Sequence, residues 1–325
     1  MGSHALEPSR PFGRGSISAS LYIHGQAARE AAAFLVKQGQ VAEDSGFDGV
    51  TISEHHGGWY EYVPNPLLMS SMILGATQRI WAGPCPMLLS LRPPWLVAED
   101  MAWINARFPG RVGGGFAPGT QSSDVDYVIA GIPMEDRRKI FGRHLPVLAA
   151  ALRGEATGQL ANDPAIQLCK ETPIPVLSSV GGPLGAKRAG AAGTGLVPSS
   201  SNRIEDLHNF IDPYLAAGGK GPILINRRAW FGKPDARRLE SLIEHHATRP
   251  LAEAGERHFK ADYIVSEDPA EVADGLVDAV VGARGTAVNI KFFYKELQPD
   301  EMLRQLADFG KYVVPIFRKK IAEAL

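Results

Sequence analysis

Segments with a strand pattern and segments with a helix pattern alternate along almost the whole chain, and this alternation limits the folds open to it. A parallel strand needs a crossover connection, most often a helix, before the next strand can pair with it. Strands alternating with helices are therefore typical of parallel α/β proteins. The eight predicted strands are Ser16–Ile23, Gly49–Ser53, Arg79–Gly83, Arg111–Gly115, Ile174–Ser179, Gly195–Val197, Pro222–Arg228 and Gly285–Ile290.

Eight such units predict an α/β protein built as a (β/α)₈ TIM barrel. The alternative is an open, doubly wound sheet, which is less favoured because no Gly-x-Gly-x-x-Gly turn follows the first strand. A long, charged segment, Ala229–Ala261, follows the seventh strand, and we predict that this insertion is a lid. The chain is thus expected to form one barrel domain over residues 16–325, after an N-terminal extension, residues 1–15, that is partly tag-derived.

The charge and cysteine content exclude several classes of function. Lys and Arg number 34 and Asp and Glu number 35, so nothing favours a nucleic-acid partner or a membrane surface. No apolar run reaches about 18 residues and no signal-peptide pattern opens the chain, so we expect a cytoplasmic protein. The two cysteines, Cys85 and Cys169, are too few for a disulfide framework or a zinc site.

Glu54-His55-His56 follows the second predicted strand, Gly49–Ser53. Parallel α/β proteins collect their chemistry at the carboxyl ends of strands, and the pKa of histidine lies near neutrality. One hypothesis is therefore that His55 or His56 acts as a general base or hydrogen-bond donor at the mouth of a barrel. The alternative is a loop histidine that only bonds the backbone, and spacing alone favours that alternative. No His-x-x-x-His spacing supports a metal site, and we expect none.

Two glycine-containing stretches follow other predicted strands. Ser179 and Gly181-Gly182-Pro183 precede a helix, which is typical either of a phosphate-binding turn or of an ordinary strand-to-helix turn. Gly113-Gly114-Gly115 ends the fourth strand, where either a flat ligand or a bulge would explain three glycines.

Other single residues have simpler interpretations. Cys85 lies in a proline-containing loop with no activating signature, so we expect a rigid loop and not a nucleophile. Trp59 and Tyr60 follow the histidine pair and could line an apolar pocket. Trp95 and Trp103 lie on a predicted helix and are expected in the core.

Taken together, these stretches resemble the bacterial luciferase-like monooxygenase superfamily. The resemblance runs from about Ser16 to the C-terminal helix and is weakest over Ala229–Ala261. Its specificity comes from the order and spacing of several motifs. They are Gly46-Phe47-Asp48 with Glu54-His55-His56, Asn65-Pro66, Thr77-Gln78-Arg79-Ile80 with Gly83, Ala98-Glu99-Asp100, Pro109-Gly110-Arg111, and Gly181-Gly182-Pro183 with Ala189-Gly190.

The resemblance implies a barrel that binds reduced FMN or a deazaflavin at the carboxyl ends of its strands. His55 would lie beside the ring as the acid/base or hydrogen-bond partner, with Glu54 orienting it. It also implies a cis peptide at Cys85-Pro86. The expected cofactor-binding residues are Cys85, Pro86, Gly115, Ala117, Thr120, Ser179, Gly181, Gly182 and Pro183. The expected pocket for substrate is formed by His56, Trp59 and Tyr60.

The implied activity is that of a flavin-dependent monooxygenase, which uses reduced FMN and O₂ to oxidise a small organic substrate. A separate flavin reductase would supply the reduced FMN, and the protein would be a homodimer. Glu54-His55-His56 with Asn65-Pro66 is similar to that branch. The alternative is a hydride-transferring oxidoreductase that depends on the deazaflavin coenzyme F420, which Gly181-Gly182-Pro183 and Trp59 resemble. Thr120, however, stands where the sugar-phosphate dehydrogenases of that branch place an acid. A third possibility is a non-catalytic flavin-binding barrel.

Overall fold

The computed structural model describes residues 10–23, 25–57, 62–120, 124–198, 203–237, 240, 263–292 and 297–325. Within them the chain is an α/β protein whose paired strands are all parallel. The strands are β1 (Ile17–Leu21), β2 (Gly49–Ile52), β3 (Trp81–Pro84), β4 (Met87–Leu88), β5 (Gly114–Ala117), β6 (Val176–Val180), β7 (Gly195–Pro198), β8 (Leu224–Phe231), β9 (Tyr263–Ser266) and β10 (Ala287–Lys291).

Helices follow most strands, and several begin at a proline. Proline suits the first helical position because the N–H that it lacks would have no partner within the helix there. They are α1 (Ala28–Asp44), α2 (Pro66–Ala76), α3 (Pro94–Arg107), α4 (Asp124–Ala130), α5 (Arg137–Leu152), α6 (Pro164–Leu168), α7 (Pro183–Ala191), α8 (Ile204–Ala216), α9 (Pro269–Gly282), α10 (Pro299–Asp308) and α11 (Val314–Ala324). None of the described helices is long and apolar enough to cross a membrane.

The described strands form two parallel sheets. The first has the order β3-β2-β1-β10-β8-β9, and the second has the order β4-β5-β6-β7. Isolated parallel bridges join the sheets at two places, between Ala82 and Val112 and between Leu196 and Ile223. At these bridges Ala82 N donates to Arg111 O at 3.0 Å and Leu196 N donates to Pro222 O at 2.8 Å.

Each of the eight predicted strands overlaps an observed one, but the details differ. The seventh runs as far as Phe231, so the first three residues of the predicted insertion belong to β8. Tyr263–Ser266, just after that insertion, adds β9 beside β8, and α9 follows it. Burial of Ala229 and pairing with β9 extend β8 beyond the point where its apolar pattern stops. The rest of the predicted lid, apart from residues 232–237 and 240, lies outside the described residues.

The inner faces of the two sheets share a small apolar cluster. It contains Phe12, Trp81, Cys85, Leu177, Val197, Leu224 and Ala287, which come from strands or strand ends of both sheets and from the N-terminal segment. Trp81 packs edge-on against Phe12, with ring centroids 4.6 Å apart. Its indole fills the space that a side chain at position 49 would need, because a Cβ on Gly49 would lie 1.8 Å from it. This position therefore requires glycine.

A polar layer lies beyond this apolar cluster, toward the carboxyl ends of the first sheet. Asn289 on β10 donates to Ser20 Oγ and to Asn226 Oδ1, both at 2.8 Å. It accepts from Ser18 Oγ at 2.9 Å and from Thr51 Oγ1 at 3.2 Å. All five side chains are buried, so these mutual hydrogen bonds offset the cost of removing them from water.

Two tryptophans expected in the core are exposed instead. Trp95 is 51 % and Trp103 is 56 % exposed, although both lie on α3 as predicted. The helix turns its smaller residues inward, including Val97, Ala98, Met101 and Ala102. The expectation was wrong because aromatic character alone does not indicate which face of a helix is buried.

Candidate functional site

The segment after β2 is fastened to the segment after β3. Ser53 Oγ donates to Cys85 O at 2.9 Å, and Glu54 N donates to Pro86 O at 3.1 Å. Because β2 and β3 are parallel, their carboxyl ends meet at the same edge of the sheet. The backbone of Glu54 therefore lies beside that of Pro86, where the end of β2 meets the segment after β3.

His55 is held by a carboxylate that the sequence analysis did not identify. Its Nδ1 lies 3.0 Å from Oδ2 of Asp126, on α4, and Asp126 is only 2 % exposed. The ring of Tyr62 packs edge-on against the imidazole, with centroids 4.6 Å apart. The backbone N–H of His56 donates to the other carboxylate oxygen of Asp126 at 2.6 Å. Asp126 thus fixes the orientation of His55, a function that we had expected Glu54 to perform.

Glu54 has different partners. Its Oε1 lies 3.0 Å from His56 Nε2 and accepts from Arg92 Nη2 at 2.5 Å. Its Oε2 accepts from the backbone N–H of Leu88, also at 2.5 Å. Glu54 is 1 % exposed, and these hydrogen bonds offset the cost of burying its polar group. Glu54 therefore joins the end of β2 to the segment that follows the Cys85-Pro86 peptide.

This arrangement also makes His56 easier to protonate. The hydrogen bond to Glu54 raises the pKa of His56 above its usual value of 6.5, against an opposing effect of partial burial. The negative charges of Glu54 and Asp126 add to the increase, and that of Arg92 opposes it. His56 is therefore more readily protonated than an ordinary histidine.

The Cys85-Pro86 peptide is cis, as predicted. Burial raises the pKa of the Cys85 thiol to about 12, so the thiol stays protonated near neutral pH and is no nucleophile. A Cβ on Gly115 would lie 2.5 Å from Cys85 Sγ. Gly115 thus allows β5 to approach this cysteine, and the two predicted cofactor residues lie in contact.

Gly113, just before β5, and Gly114, its first residue, are also explained by packing within the chain. A Cβ on Gly113 would lie 2.6 Å from Pro11, and one on Gly114 would lie 3.0 Å from the ring of Phe116. No ligand is needed to account for them, which removes that argument for a flat ligand. Ala117, the last residue of β5, is buried. Beyond the strand, Thr120 is exposed and Pro118 O accepts from Tyr127 Oη at 2.6 Å.

The turn between β6 and α7 is open. A Cβ built on Gly181 or on Gly182 would meet nothing within 4 Å. Pro183 is the first residue of α7, and Ser179 is partly buried near the end of β6. An approaching group could therefore reach the backbone of this turn at the positive end of the helix dipole, which suits a phosphate.

The remaining predicted residues lie elsewhere or were missed. Trp59 and Tyr60 fall outside the described residues. Asp126 was missed because no helix was predicted at residues 124–130, although its Asp-x-Asp pattern was visible. Arg92 was missed because a sequence does not indicate which of 34 cations pairs with a buried carboxylate. Among the described residues, no group of three or more His, Cys, Asp or Glu side chains is arranged to hold a metal ion.

Known proteins with similar sequences include enzymes of two kinds. An F420-dependent glucose-6-phosphate dehydrogenase from Beutenbergia cavernae is 26 % identical over 260 residues, covering 74 % of this chain and 74 % of its own. A limonene 1,2-monooxygenase from Rhodococcus erythropolis is 24 % identical over 292 residues, covering 83 % of this chain and 71 % of its own.

A solved structure has the same fold. It is the oxygenating constituent of 3,6-diketocamphane monooxygenase from Pseudomonas putida in complex with FMN, at a TM-score of 0.69 and 16 % identity, covering 96 % of this chain and 99 % of the other. FMN and F420 thus both occur as cofactors among similar proteins. The profile of the Luciferase-like monooxygenase family matches residues 16–309, which places this chain in that family of oxidoreductases.

Proposed function

We propose that this protein is a flavin-dependent monooxygenase, which uses reduced FMN and O₂ to oxidise a small organic substrate. The observation that carries the proposal is His55, which is held through Nδ1 by the buried carboxylate of Asp126. His55 directly follows Glu54, whose backbone N–H donates to Pro86 O. A positioned imidazole at the end of a parallel strand suits an acid, base or hydrogen-bond partner of a reacting group.

The residues present fit an FMN molecule. The open turn at Gly181 and Gly182 would hold its phosphate, with Pro183 and Ser179 beside it. Cys85, Pro86, Gly115, Ala117 and Thr120 would line the ring and the ribityl chain. Reduced FMN, when bound, supplies the electrons with which O₂ is activated.

The chain itself would position groups and exclude water. Asp126 keeps the imidazole of His55 in one orientation, and Glu54 fixes His56 and Arg92 at the rim. His56, with Trp59 and Tyr60, would contact the substrate. We also propose that the strands close into an eight-stranded barrel, which the two bridges between the sheets support. The segment after β8 would form a lid over the site.

A second candidate is an F420-dependent oxidoreductase that transfers hydride. It is supported by the similarity to the glucose-6-phosphate dehydrogenase from Beutenbergia cavernae and by Gly181-Gly182-Pro183. Thr120 argues against the sugar-phosphate dehydrogenase reaction, because the dehydrogenases of that branch have an acidic residue at the matching position. His55 could serve either chemistry, since both need a positioned proton carrier.

Cofactor titration distinguishes the two candidates. Purified protein is mixed under anaerobic conditions with reduced FMN or reduced F420, and the absorption spectrum and the free cofactor are measured. We expect saturable binding of reduced FMN and weaker binding of F420. Saturable binding of F420 with none of reduced FMN would contradict the main proposal.

We also propose that a separate flavin reductase supplies the reduced FMN and that the protein is a homodimer. The first rests on the absence of a dinucleotide-binding turn after the first predicted strand in the sequence. The second is supported by large apolar side chains exposed on α2 and α3. These are Leu68, Met72, Trp95, Leu96 and Trp103.

A further inference from the structure

Two cationic residues occupy equivalent positions on neighbouring strands at one wall of the molecule. Arg228 of β8 and Lys291, the last residue of β10, are register partners in the parallel pair. Partners in a sheet have their Cβ atoms about 5 Å apart, and side chains at partnered positions lie on the same face. Arg228 and Lys291 therefore project from the same level of the sheet.

The face from which they project is the inner one. Asn226 and Asn289, two residues earlier on the same strands, hydrogen-bond each other in the buried polar layer. Because the side chains of a strand alternate with a period of two, Arg228 and Lys291 face the same interior, nearer the carboxyl ends. Arg228 is only 8 % exposed, and its guanidinium carbon lies 5.5 Å from the centre of the Tyr263 ring.

The two cations share an interior with the predicted ring-binding region. Cys85 packs in the inner apolar cluster with Leu224 and Ala287. These two residues lie four positions before Arg228 and Lys291 on the same strands, so their side chains lie on the same face. The two cations therefore belong to the same interior as the Cys85-Pro86 peptide.

This wall is distinct from the turn proposed for the phosphate of FMN. That turn follows β6, in the four-stranded sheet, whereas β8 and β10 belong to the six-stranded sheet. An anion at Arg228 and Lys291 would accordingly be a different group from the phosphate held at Gly181 and Gly182.

We propose that Arg228 and Lys291 bind an anionic group of the substrate, a carboxylate, sulfonate or phosphate, so that the substrate is an organic acid. The guanidinium can donate two parallel hydrogen bonds to such a group, and the ammonium adds a compact positive charge. The assignment of this anion to the substrate rests on the proposed function. The existence of an anion site does not.

Selenate tests the site directly, because it is a tetrahedral dianion and its selenium is located by anomalous scattering. Crystals of the full chain are soaked in selenate, for the wild type, for Arg228→Gln and Lys291→Gln, and for Lys37→Gln, which removes an exposed cation from α1. We expect an anomalous peak between Arg228 and Lys291 in the wild type and in Lys37→Gln, and its loss in the other two variants. No peak there in the wild type would overturn the inference.

Calorimetric titration of selenate in solution, at constant ionic strength, gives a second measurement. Loss of one charge-assisted contact should weaken binding about tenfold. Lys291 is partly exposed, so Lys291→Gln keeps the test usable if Arg228→Gln fails to fold, which its melting temperature will reveal. Unchanged affinity in both folded variants would place the bound anion elsewhere and overturn the inference.

The outcomes separate this inference from the proposed function. A peak at the Gly181–Gly182 turn with none between the two cations would overturn the inference and leave the flavin proposal intact. A peak between the cations, in a protein that binds neither reduced FMN nor F420, would support the anion site and contradict the proposed function.

Discussion

Asp126 and Asp124 lie on the same helix but differ in their surroundings, which makes them a matched pair. Asp126 is buried and bonded to His55, whereas Asp124 is exposed. We predict that Asp126→Asn lowers kcat at least about tenfold, because an amide can reverse the tautomer of the imidazole while keeping its position. The affinity for the cofactor should change little. Steady-state kinetics and cofactor binding measure the two effects.

Asp124→Asn is the control for that experiment and should leave both quantities unchanged. His55→Ala should lose at least as much activity as Asp126→Asn, since Asp126 acts through His55. A variant Asp126→Asn with wild-type kcat would remove this carboxylate from the proposed mechanism.

His56 gives a prediction about stability and pH. Its pKa is raised in the folded state by the hydrogen bond to Glu54, from an ordinary value of 6.5. A group with a raised folded pKa stabilises the protein fully below the unfolded pKa, and this contribution is lost as the pH rises through the folded pKa. The stability that His56→Gln removes should therefore be greatest below pH 6.5 and should decrease above it.

Urea denaturation of wild type and His56→Gln between about pH 5.5 and 9 measures this difference in the free energy of unfolding. Because His56 is partly exposed, solvent screening keeps the effect small. A difference that grows with pH would have the wrong sign and would mean that His56 is held in its neutral form.

The sequence indicated candidate site residues that are close in the chain and missed those brought near them by folding. Glu54 and His55 belong to one local motif, and the cis peptide at Cys85-Pro86 was implied by the family resemblance. Asp126 is 71 positions from His55, and nothing local marks the contact. Asp126, and not Glu54, bonds His55 because of where α4 packs, and the sequence pattern does not specify that packing.

At the level of elements, alternation predicted the parallel strands because burial on both faces leaves an apolar or small-residue signature in each of them. It missed α9, which falls in the interval after the charged insertion, and β9, whose four residues are only partly buried. A π-helical turn over Phe309–Val313 separates α10 from α11, so the helical pattern near the end of the chain forms two helices. β9 and this π-helical turn are short, and short or irregular elements are fixed by packing more than by local pattern.

The turn before α7 provides a prediction for an element. Gly182 has extended backbone angles that any residue adopts, and open space surrounds the position of its missing side chain. Gly182→Val should therefore fold, losing no more than about 1 kcal/mol at the helix start. Its side chain would occupy the space proposed for the FMN phosphate. We predict that it weakens binding of reduced FMN about tenfold and leaves binding of reduced riboflavin, which has no phosphate, unchanged.

Gly142→Ala is the matched control, since a Cβ there also meets nothing within 4 Å but the residue lies on α5, away from this turn. It should stabilise the protein by about 0.5–1 kcal/mol and leave both affinities unchanged. Equal weakening of FMN and riboflavin by Gly182→Val would argue against a phosphate at this turn. Anaerobic equilibrium dialysis gives the six dissociation constants, one for each of the two flavins with the wild type and with each variant.

For the whole molecule, the exposed apolar side chains of α2 and α3 point to an interface. Leu68 and Met72 are four residues apart on α2, and Leu96 and Trp103 are seven apart on α3, so each pair shares a face of its helix. All four are at least 40 % exposed. We predict a homodimer with twice the 35.0 kDa mass of the chain, measured by sedimentation equilibrium.

Charge introduced into these faces should separate the subunits, because an unpaired carboxylate in a buried interface is costly. Leu68→Glu and Trp103→Glu should each shift the protein toward monomer. Thermal melting of each variant, followed by circular dichroism, shows whether the monomer is folded. Val147→Glu, at a residue 46 % exposed on α5, adds the same charge outside α2 and α3 and should remain dimeric. Dissociation by Val147→Glu alone would place the interface on α5, and a monomeric wild type would remove the homodimer from the proposal.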